Sequence, residues 1–338
     1  MVAPPFHDPQ ARLLAATPRQ IVIMAYEGAQ LLSLAGPSEA FSAANKALEA
    51  GGRTAAYTVR IASRHGGVVP TAAGVEVNTC PFDDGQAMAP DTIIVPGGSG
   101  IRSVMADPAC LAWLRQIAVT ARRLVAFGAG TFILASAGLL SGHRCVTHWR
   151  FEDDLEREFP DVRVQRGALY VRDGRISTAA GASASLDLSI GMVEEDFGHV
   201  LASHVARMLV VPRRRPGEQP QISVELAAQS SATPRVAEAA EWIVQNIHTR
   251  PTVAGLARRF AMSERNFSRR FRDETGMPPA RYIEKARLEA ARRWLASSSL
   301  PLESVARKSG FSSASHLNQA FRKVMGVTPL AYRKTAKG

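Results

Sequence analysis

The stretch LVAFGAGTFILASAGLL, residues 124–140, begins as an apolar run, breaks at glycines and continues as a second apolar run of helical length. This order predicts a short buried strand, a tight turn with Gly128 at its apex, and a helix. Strand–turn–helix units of this kind build α/β domains, which bind ligands at the carboxyl ends of their strands. The stretch therefore predicts both the class of the domain and the place of its site.

Strand and helix patterns alternate along the first 211 residues. Because helical lengths separate the strands, we predict a doubly wound, flavodoxin-like α/β domain whose parallel sheet is covered by helices on both faces. A hairpin turn is expected at VRDGR, residues 171–175. The predicted strands are residues 19–26, 57–63, 91–98 and 123–130, and the predicted helices are residues 35–51, 107–121, about 183–196 and about 198–210.

Charge separates a second domain from the first. Residues 212–338 hold 23 Lys and Arg against 10 Asp and Glu, whereas residues 1–211 hold 18 against 20. A basic excess of this size is expected of a domain that neutralises DNA phosphates. The change falls in the proline-rich VVPRRRPGEQPQISVELAAQSSATP, which predicts a linker. We therefore expect a flexible tail at 1–18, a first domain at 19–211, a linker at 212–234 and a second domain at 235–338.

The basic domain contains an internal repeat. LARRFAMSERNFSRRFRDETGMPPARYI (256–283) aligns with VARKSGFSSASHLNQAFRKVMGVTPLAYR (305–333). Each copy reads as a short helix, a turn, and a second helix opened by a serine cap, at Ser263 or at Ser312 to Ser313. Each second helix carries an apolar stripe at four-residue spacing, so its other face is free. The repeat predicts an all-α domain with two helix-turn-helix motifs, whose second helices enter a major groove of double-stranded DNA.

Residues 236–334 resemble the DNA-binding domain of the AraC/XylS family of transcription regulators. The closing pattern of Gly310-Phe311, FRK, Gly326, Pro329 and Tyr332-Arg333 carries most of this resemblance. The resemblance implies base-reading positions on both second helices, with the second helix the weaker reader because alanine and serine offer little hydrogen bonding. These positions are Arg265, Ser268, Arg269, Ala314, Ser315, Asn318 and Gln319. Arg270, Arg272, Arg292 and Arg293 are expected to be phosphate contacts or solvated charges.

The first domain resembles the PfpI-like, class I glutamine-amidotransferase-like domain, through LLSLAGPSEAF, DTIIVPGG, FGAGTFILASAGLLSGHRCVTHW and VARMLVVPRRRPGEQPQ. Together the two domains look like the GlxA subfamily of regulators, over residues 19–334. Two departures stand out. Gly128 lies where catalytic relatives place the cysteine of the elbow, and Ser33 lies where the subfamily has aspartate. A residue without a side chain cannot attack a substrate, so we expect no catalytic residue and no enzyme activity.

The turn can still bind a ligand. Backbone amides of Gly97 and Gly98, together with those of the turn itself, are expected to hold a small carboxylate. An aromatic beside them is expected to enclose its cationic or apolar part, and an acid to pair with an amine. The candidate ligand-binding residues are Tyr26, Glu27, Gly97, Gly98, Gly128, Ala129, Gly130, His148 and Trp149. The alternatives are that Trp149 fills the core, that His148 caps a turn and that Glu27 is a solvated loop acid.

Cys80, Cys110 and Cys145 are far apart in sequence and form no CxxC pair, so no disulfide, metal or cofactor site is expected. The first 20 residues lack the charged and apolar regions of a signal peptide, and the apolar run near residue 130 is broken by glycine and serine. We therefore expect a cytoplasmic protein without a membrane span.

The resemblance implies a homodimeric regulator that responds to an amine, amino acid or quaternary-ammonium carboxylate. Two alternatives stay open, an amidase or peptidase-like enzyme fused to a DNA-binding domain, and a constitutive DNA-binding dimer.

Overall fold

The computed structural model describes residues 17–83, 90–211, 215–222 and 234–337. The chain divides into two compact units, Met1–Gln221 and Ile222–Gly338. Most of the predicted tail, residues 1–16, and two parts of the predicted linker, residues 212–214 and 223–233, lie outside the described residues. Of the rest of the predicted linker, residues 215–221 belong to the first unit, and Ile222 and Pro234 belong to the second.

The first unit is built on an eight-stranded sheet with the order β3-β4-β2-β1-β5-β6-β10-β9 among the residues described. The strands from β4 to β10 in this order run parallel, while β3 and β9 are antiparallel strands at the two edges. A small second sheet pairs β7 with β8. The strands are β1 Arg19–Met24, β2 Tyr57–Ser63, β3 His65–Pro70, β4 Glu76–Pro81, β5 Thr92–Val95, β6 Arg123–Phe127, β7 Arg144–Cys145, β8 Arg163–Val164, β9 Tyr170–Asp173 and β10 Ile176–Ala179.

Strands β1, β5 and β6 lie at the centre of the sheet and are apolar along almost their whole length, as expected where helices cover both faces. The predicted α/β class, the parallel sheet and the hairpin between β9 and β10 are confirmed. The helices of this unit are α1 Leu31–Ala50, α2 Ile101–Met105, α3 Pro108–Ala118, α4 Gly130–Ser136, α5 Glu152–Glu158, α6 Ala182–Phe197 and α7 His199–Met208.

Two features of this unit differ from the sequence prediction. Helix α1 begins at Leu31 and not at residue 35, so Pro37 lies inside the helix. The edge hairpin of β3 and β4 was not expected, because Gly66 and Gly67 interrupt the strand pattern of β3 and both have positive φ. Glycines with this conformation are tolerated at an edge, where one side of the strand makes no ladder.

In its described residues, the second unit has helices and no strand, and it has two apolar cores, one for each half of the repeat. The long α11 contributes Tyr282, Ile283 and Ala286 to the first core and Leu288, Ala291 and Leu295 to the second. Ser263 accepts a hydrogen bond from Asn266 N–H, and Ser313 accepts one from His316 N–H, so the predicted serine caps are confirmed. The helices are α8 Pro234–Gln245, α9 Val253–Arg259, α10 Glu264–Thr275, α11 Pro279–Ser297, α12 Leu302–Lys308, α13 Ala314–Met325 and α14 Pro329–Lys337.

Among the described residues, no helix combines the length and the apolar character that crossing a membrane requires.

Candidate ligand site and nucleic-acid interface

The turn after β6 has the geometry that the sequence predicts, with Gly128 at its apex. Its φ of +54° lies in the left-handed region, which disfavours residues with a side chain. Its N–H donates to the carbonyl of Ala179 at 2.7 Å. A Cβ added at this glycine would lie 3.4 Å from the carbonyl oxygen of Ala180, which is an ordinary contact. The apex therefore has room for a small side chain, although its backbone conformation favours glycine.

Glycines bring the loops after β1, β5 and β6 into direct backbone contact. A Cβ on Gly97 would lie 2.8 Å from the carbonyl oxygen of Phe127, and one on Gly98 only 2.1 Å from that of Gly28. A Cβ on Gly130 would lie 2.5 Å from the carbonyl oxygen of Val95. Side chains at these three positions would push the loops apart. The glycines that the sequence suggests as ligand contacts thus also have a packing role.

Two amides of the turn are free to bind. Ala129 and Gly130 are both buried, and their N–H groups donate to none of the residues that the structure describes. Buried amide donors without a partner are uncommon in folded proteins and call for an acceptor. The turn therefore offers two neighbouring donors to an anionic oxygen.

His148 and Trp149 follow β7 and lie on one turn, with ring centroids 5.3 Å apart. Trp149 is 51% exposed, so it does not fill the core. His148 is partly buried, and its Nδ1 accepts a hydrogen bond from Arg150 N–H at 3.3 Å, so it also caps the turn. Burial, and then the charge of Arg150, lower the pKa of His148, which favours the neutral ring at neutral pH. Gly181 lies near both His148 and the apex, because a Cβ added at Gly181 would lie 3.6 Å from the His148 ring and one added at Gly128 would lie 3.6 Å from Gly181 Cα.

The two residues predicted at the end of β1 have different surroundings. Tyr26 is buried, and its hydroxyl donates to the carbonyl of Pro96 at 2.7 Å. This bond ties the loop after β1 to the loop after β5. Glu27 is exposed, as a solvated loop acid would be. Among the described residues, neither the side chain of Tyr26 nor that of Glu27 makes a hydrogen bond, ion pair or ring contact with the Thr147–Trp149 turn.

Residues that the sequence analysis did not single out hold the Thr147–Trp149 turn in place. Thr147 Oγ1 donates to the carbonyl of Gly128 at 2.9 Å, and Thr131 Oγ1 donates to that of Val146 at 2.9 Å. The N–H of Val146 donates to Thr178 Oγ1 at 2.8 Å. Each of these threonines is buried. Hydroxyls from α4, from β10 and from the turn itself thus fix the aromatic pair next to the apex.

The cysteines do not supply a nucleophile in place of the missing one. Burial raises the pKa of both Cys110 and Cys145 to about 12, and for Cys110 a hydrogen bond to Asp107 adds to the effect. A thiol with so high a pKa is protonated at neutral pH and reacts poorly. Cys80 donates from Sγ to the carbonyl of Ile61 at 3.4 Å. In the part of the chain that the structure describes, no group of three or more His, Cys, Asp or Glu is placed to hold a metal ion.

The second helix of each repeat presents a polar face. On α10, Arg265 and Arg269 are exposed and four residues apart, with Ser268 partly buried beside them. On α13, Ser315 and Gln319 occupy the equivalent exposed positions, whereas Ala314 and Asn318 are partly buried. All of the predicted base-reading positions therefore reach the surface of these two helices. Ser268, Ala314 and Asn318 are the ones that are partly buried.

The arginines expected to be phosphate contacts are of two kinds. Arg270, Arg272 and Arg293 are exposed. Arg292 is only 4% exposed, so its assignment as a solvated charge or phosphate contact is wrong. Its Nε donates to the hydroxyl of Tyr332 at 3.4 Å, and its guanidinium lies 5.7 Å from the centre of that ring. The reason is that α11 passes between the two cores and buries residues on more than one face.

Comparison with known proteins adds independent information on both units. The model of the DJ-1/PfpI family matches residues 19–195, and a helix-turn-helix domain model matches residues 256–335. The regulator ArgR of Pseudomonas aeruginosa is 33% identical over 232 residues, which cover 69% of this chain and 70% of ArgR. The regulator GlxA of Rhizobium meliloti is 29% identical over 307 residues, 90% of this chain and 92% of its own.

An enzyme is also similar to part of this chain. Isonitrile hydratase of Pseudomonas putida is 33% identical over 136 residues, which cover 38% of this chain and 55% of the enzyme. This match covers a smaller share of the chain than the match to the regulator GlxA, which extends over both units. The resemblance to GlxA-type regulators that the motifs suggest is confirmed.

Proposed function

The chain belongs to the DJ-1/PfpI family and is a transcriptional regulator with a DNA-binding helix-turn-helix domain, and we propose that a small metabolite bound in its first unit controls DNA binding by the second. The observation that carries this proposal is the turn after β6. Its two buried amides, Ala129 and Gly130, donate to none of the described residues, and it has no side chain at its apex. A hydrogen bond from Thr147 joins it to the turn that carries the half-exposed Trp149. Such a turn favours binding over reaction.

The ligand we propose is a small carboxylate that also carries a positive charge. The two free amides are suited to a carboxylate, because each donates one hydrogen bond to an anionic oxygen. The exposed face of Trp149 is suited to an ammonium or quaternary ammonium group through a cation–π interaction. An amino acid or a betaine has both groups on one short skeleton. His148, neutral at neutral pH, adds no positive charge that would repel the cation.

We propose that the first unit is catalytically inactive. The apex offers no nucleophile, and the high pKa values of Cys110 and Cys145 make them poor substitutes. The competing proposal of an amidase or peptidase-like enzyme rests on the partial likeness to isonitrile hydratase. Incubation with activated acyl substrates, followed by mass spectrometry of the intact chain, separates the two. A covalent acyl group on Cys110 or Cys145 would establish the enzyme.

Base reading, assembly and location complete the proposal. We assign base reading to the predicted positions on α10 and α13, and DNA-backbone contacts to the exposed arginines beside them.

A homodimer fits a two-motif reader that acts on paired half-sites. Because the target of the second unit is DNA, we place the protein in the cytoplasm. The constitutive alternative, in which the first unit serves only for dimerisation, predicts that no small molecule stabilises the chain.

A thermal-shift screen of the full chain tests the ligand. The panel contains L-amino acids and glycine betaine, together with matching amines that lack the carboxylate. A compound that binds only the folded state stabilises it by about 2.7 kcal/mol at 100 times its dissociation constant. We expect a response to a charged carboxylate, lost in Trp149→Ala and kept in the exposed control Val119→Ala. Equal responses of both variants would place the ligand elsewhere.

A further inference from the structure

Residues 215–221, RPGEQPQ, form a segment that we call the strap. Its first residue is fastened to α6. The backbone N–H, Nε and Nη2 of Arg215 donate to the carboxylate of Asp187 at 2.7, 2.9 and 2.7 Å. That carboxylate is only 4% exposed. A buried carboxylate with three charge-assisted or backbone donors is a specific and directional anchor.

The middle of the strap lies along the strand β9 and the loop before it. The carbonyl of Gly217 accepts hydrogen bonds from the N–H groups of Leu169, at 2.7 Å, and Tyr170, at 3.2 Å. A Cβ on Gly217 would lie 2.4 Å from the carbonyl oxygen of Tyr170, so only glycine allows this approach. The N–H of Gln221 donates to the carbonyl of Gly167 at 3.1 Å. The strap is therefore held along its length as part of the first unit.

The last residue of the strap ends in the candidate ligand site. The side-chain oxygen of Gln221 accepts from Trp149 N–H at 2.7 Å. Its amide nitrogen donates to the carbonyl of Thr147 at 3.0 Å and to Oε1 of the buried Glu152 at 3.2 Å. One carboxamide thus bonds to the residues on both sides of His148 and to the start of α5. Two of these three hydrogen bonds are to the turn that carries the aromatic pair, and the third is to the helix that follows it.

The residue after Gln221 already belongs to the second unit. The carbonyl of Ile222 accepts a hydrogen bond from Lys285 Nζ at 3.2 Å, and its side chain packs against the first core of that unit. Lys285 lies on α11, which joins the two motifs. Two adjacent residues therefore bond to different parts of the chain. Gln221 bonds to the turn of the ligand site, and Ile222 bonds to the DNA-binding unit.

We propose that Gln221 is a positioning residue that transmits the state of the Thr147–Trp149 turn to the backbone where the DNA-binding unit begins. A ligand that seats against Trp149 shifts this turn, and the hydrogen bonds of Gln221 carry the shift to the peptide bond between Gln221 and Ile222. This inference rests on the proposed function only for the nature of the ligand. The hydrogen bonds from Gln221 to Thr147 and Trp149 are the same whichever ligand binds.

Hydrogen exchange and DNA binding of the ligand-free full chain test the link. Gln221→Glu places a carboxylate where the amide nitrogen donates to Thr147 and Glu152, so repulsion from Glu152 should push this side chain off the turn, and Trp149 N–H then loses its acceptor. Loss of a hydrogen bond worth about 1.4 kcal/mol corresponds to about tenfold faster exchange of the protected amide. We expect at least this change at the Trp149 amide. We also expect a change of about fivefold or more in the dissociation constant for a duplex selected from a random library by the full chain, as is typical of allosteric coupling.

Two further variants distinguish positioning from a general structural role. Gln221→Glu combined with Glu152→Gln removes the like charges and exchanges donor and acceptor between these two positions, but it leaves the carbonyl of Thr147 without its donor, so exchange at Trp149 and DNA affinity should both return part of the way towards wild type. Glu218→Gln alters an exposed residue of the same strap and should change neither. Wild-type DNA affinity in Gln221→Glu, or faster exchange without rescue by the double variant, would overturn the proposal. A thermal-shift panel without a hit would overturn only the proposed ligand, because neither readout here uses one.

Discussion

The hydroxyl of Thr147 donates a hydrogen bond of 2.9 Å to the carbonyl of Gly128, and both residues are buried. This bond joins the turn that carries His148 and Trp149 to the apex that carries no nucleophile. It links the segment with the aromatic pair to the residue before two amides that donate to none of the described residues, and the ligand proposal depends on that link.

Thr147→Val removes this hydroxyl while keeping the shape of the side chain. Because the buried carbonyl of Gly128 loses one donor and keeps the N–H of Thr131, we expect a loss of about 0.5 to 1.5 kcal/mol in the free energy of unfolding of the first unit, measured by denaturant titration. Thr120→Val is the matched control, since Thr120 is exposed, and we expect about 0.5 kcal/mol or less there. A Thr147→Val protein as stable as this control would show that the turn is held by other contacts.

Gly128 and Gly98 should respond differently to alanine. Gly128→Ala meets only the cost of a left-handed conformation, about 1 to 2 kcal/mol, because its Cβ has room. Gly98→Ala places a Cβ 2.1 Å from the carbonyl oxygen of Gly28, so the first unit should not fold normally. Circular dichroism and thermal unfolding of both variants check this order. A Gly98→Ala protein that melts like wild type would contradict the close packing of the three loops.

Asp91 should make the first unit sensitive to acid. Burial raises the pKa of Asp91, but hydrogen bonds from Arg122 and Thr92 and the charges of Arg122 and Arg19 lower it more, so its pKa lies below the ordinary 3.8. A carboxyl with a lowered folded pKa stabilises the fold above its unfolded pKa, about 4, and this stabilisation is lost as pH falls through the folded value. Unfolding at pH 6 and pH 3 should show a smaller difference for Asp91→Asn than for wild type. The exposed control Asp161→Asn should keep the wild-type difference, and equal differences in all three proteins would contradict the assignment.

Substitutions of three basic residues in the second unit should have three different effects, on base preference, on general DNA affinity and on stability. Arg269→Ala should weaken binding to the selected duplex by about 1 to 3 kcal/mol and relax its base preference, since an arginine fork matches guanine. Lys323→Ala, at an exposed position, should weaken binding to all DNA alike and lower the salt slope by about one. Arg292→Met should instead lower the stability of the unit, because this arginine is buried against Tyr332. Salt titrations on selected and scrambled duplexes, with thermal unfolding, check the three. Equal losses on both duplexes for Arg269→Ala would make it a phosphate contact.

Sequence patterns predict the parts of this molecule that local physics determines. The buried strand before Gly128 and the serine caps at Ser263 and Ser313 are such parts, since apolar runs and capping residues act within a few positions. The exposure of Trp149 and the burial of Arg292 depend on packing between segments that are distant in sequence, so no local pattern reports them. The same holds for Gln221, whose segment has the proline and glycine content of a linker but bonds to residues about 70 positions earlier.

DNA affinity measured with and without a ligand shows directly whether the first unit controls the second. The full chain is titrated onto its selected duplex, in fluorescence anisotropy, with the charged carboxylate that gives the largest thermal shift, and Trp149→Ala is titrated in parallel. We predict that the compound changes the dissociation constant of the wild-type complex by about fivefold or more, and that Trp149→Ala binds the duplex but does not respond. A compound that stabilises the chain yet leaves DNA affinity unchanged would contradict control of the second unit by the first.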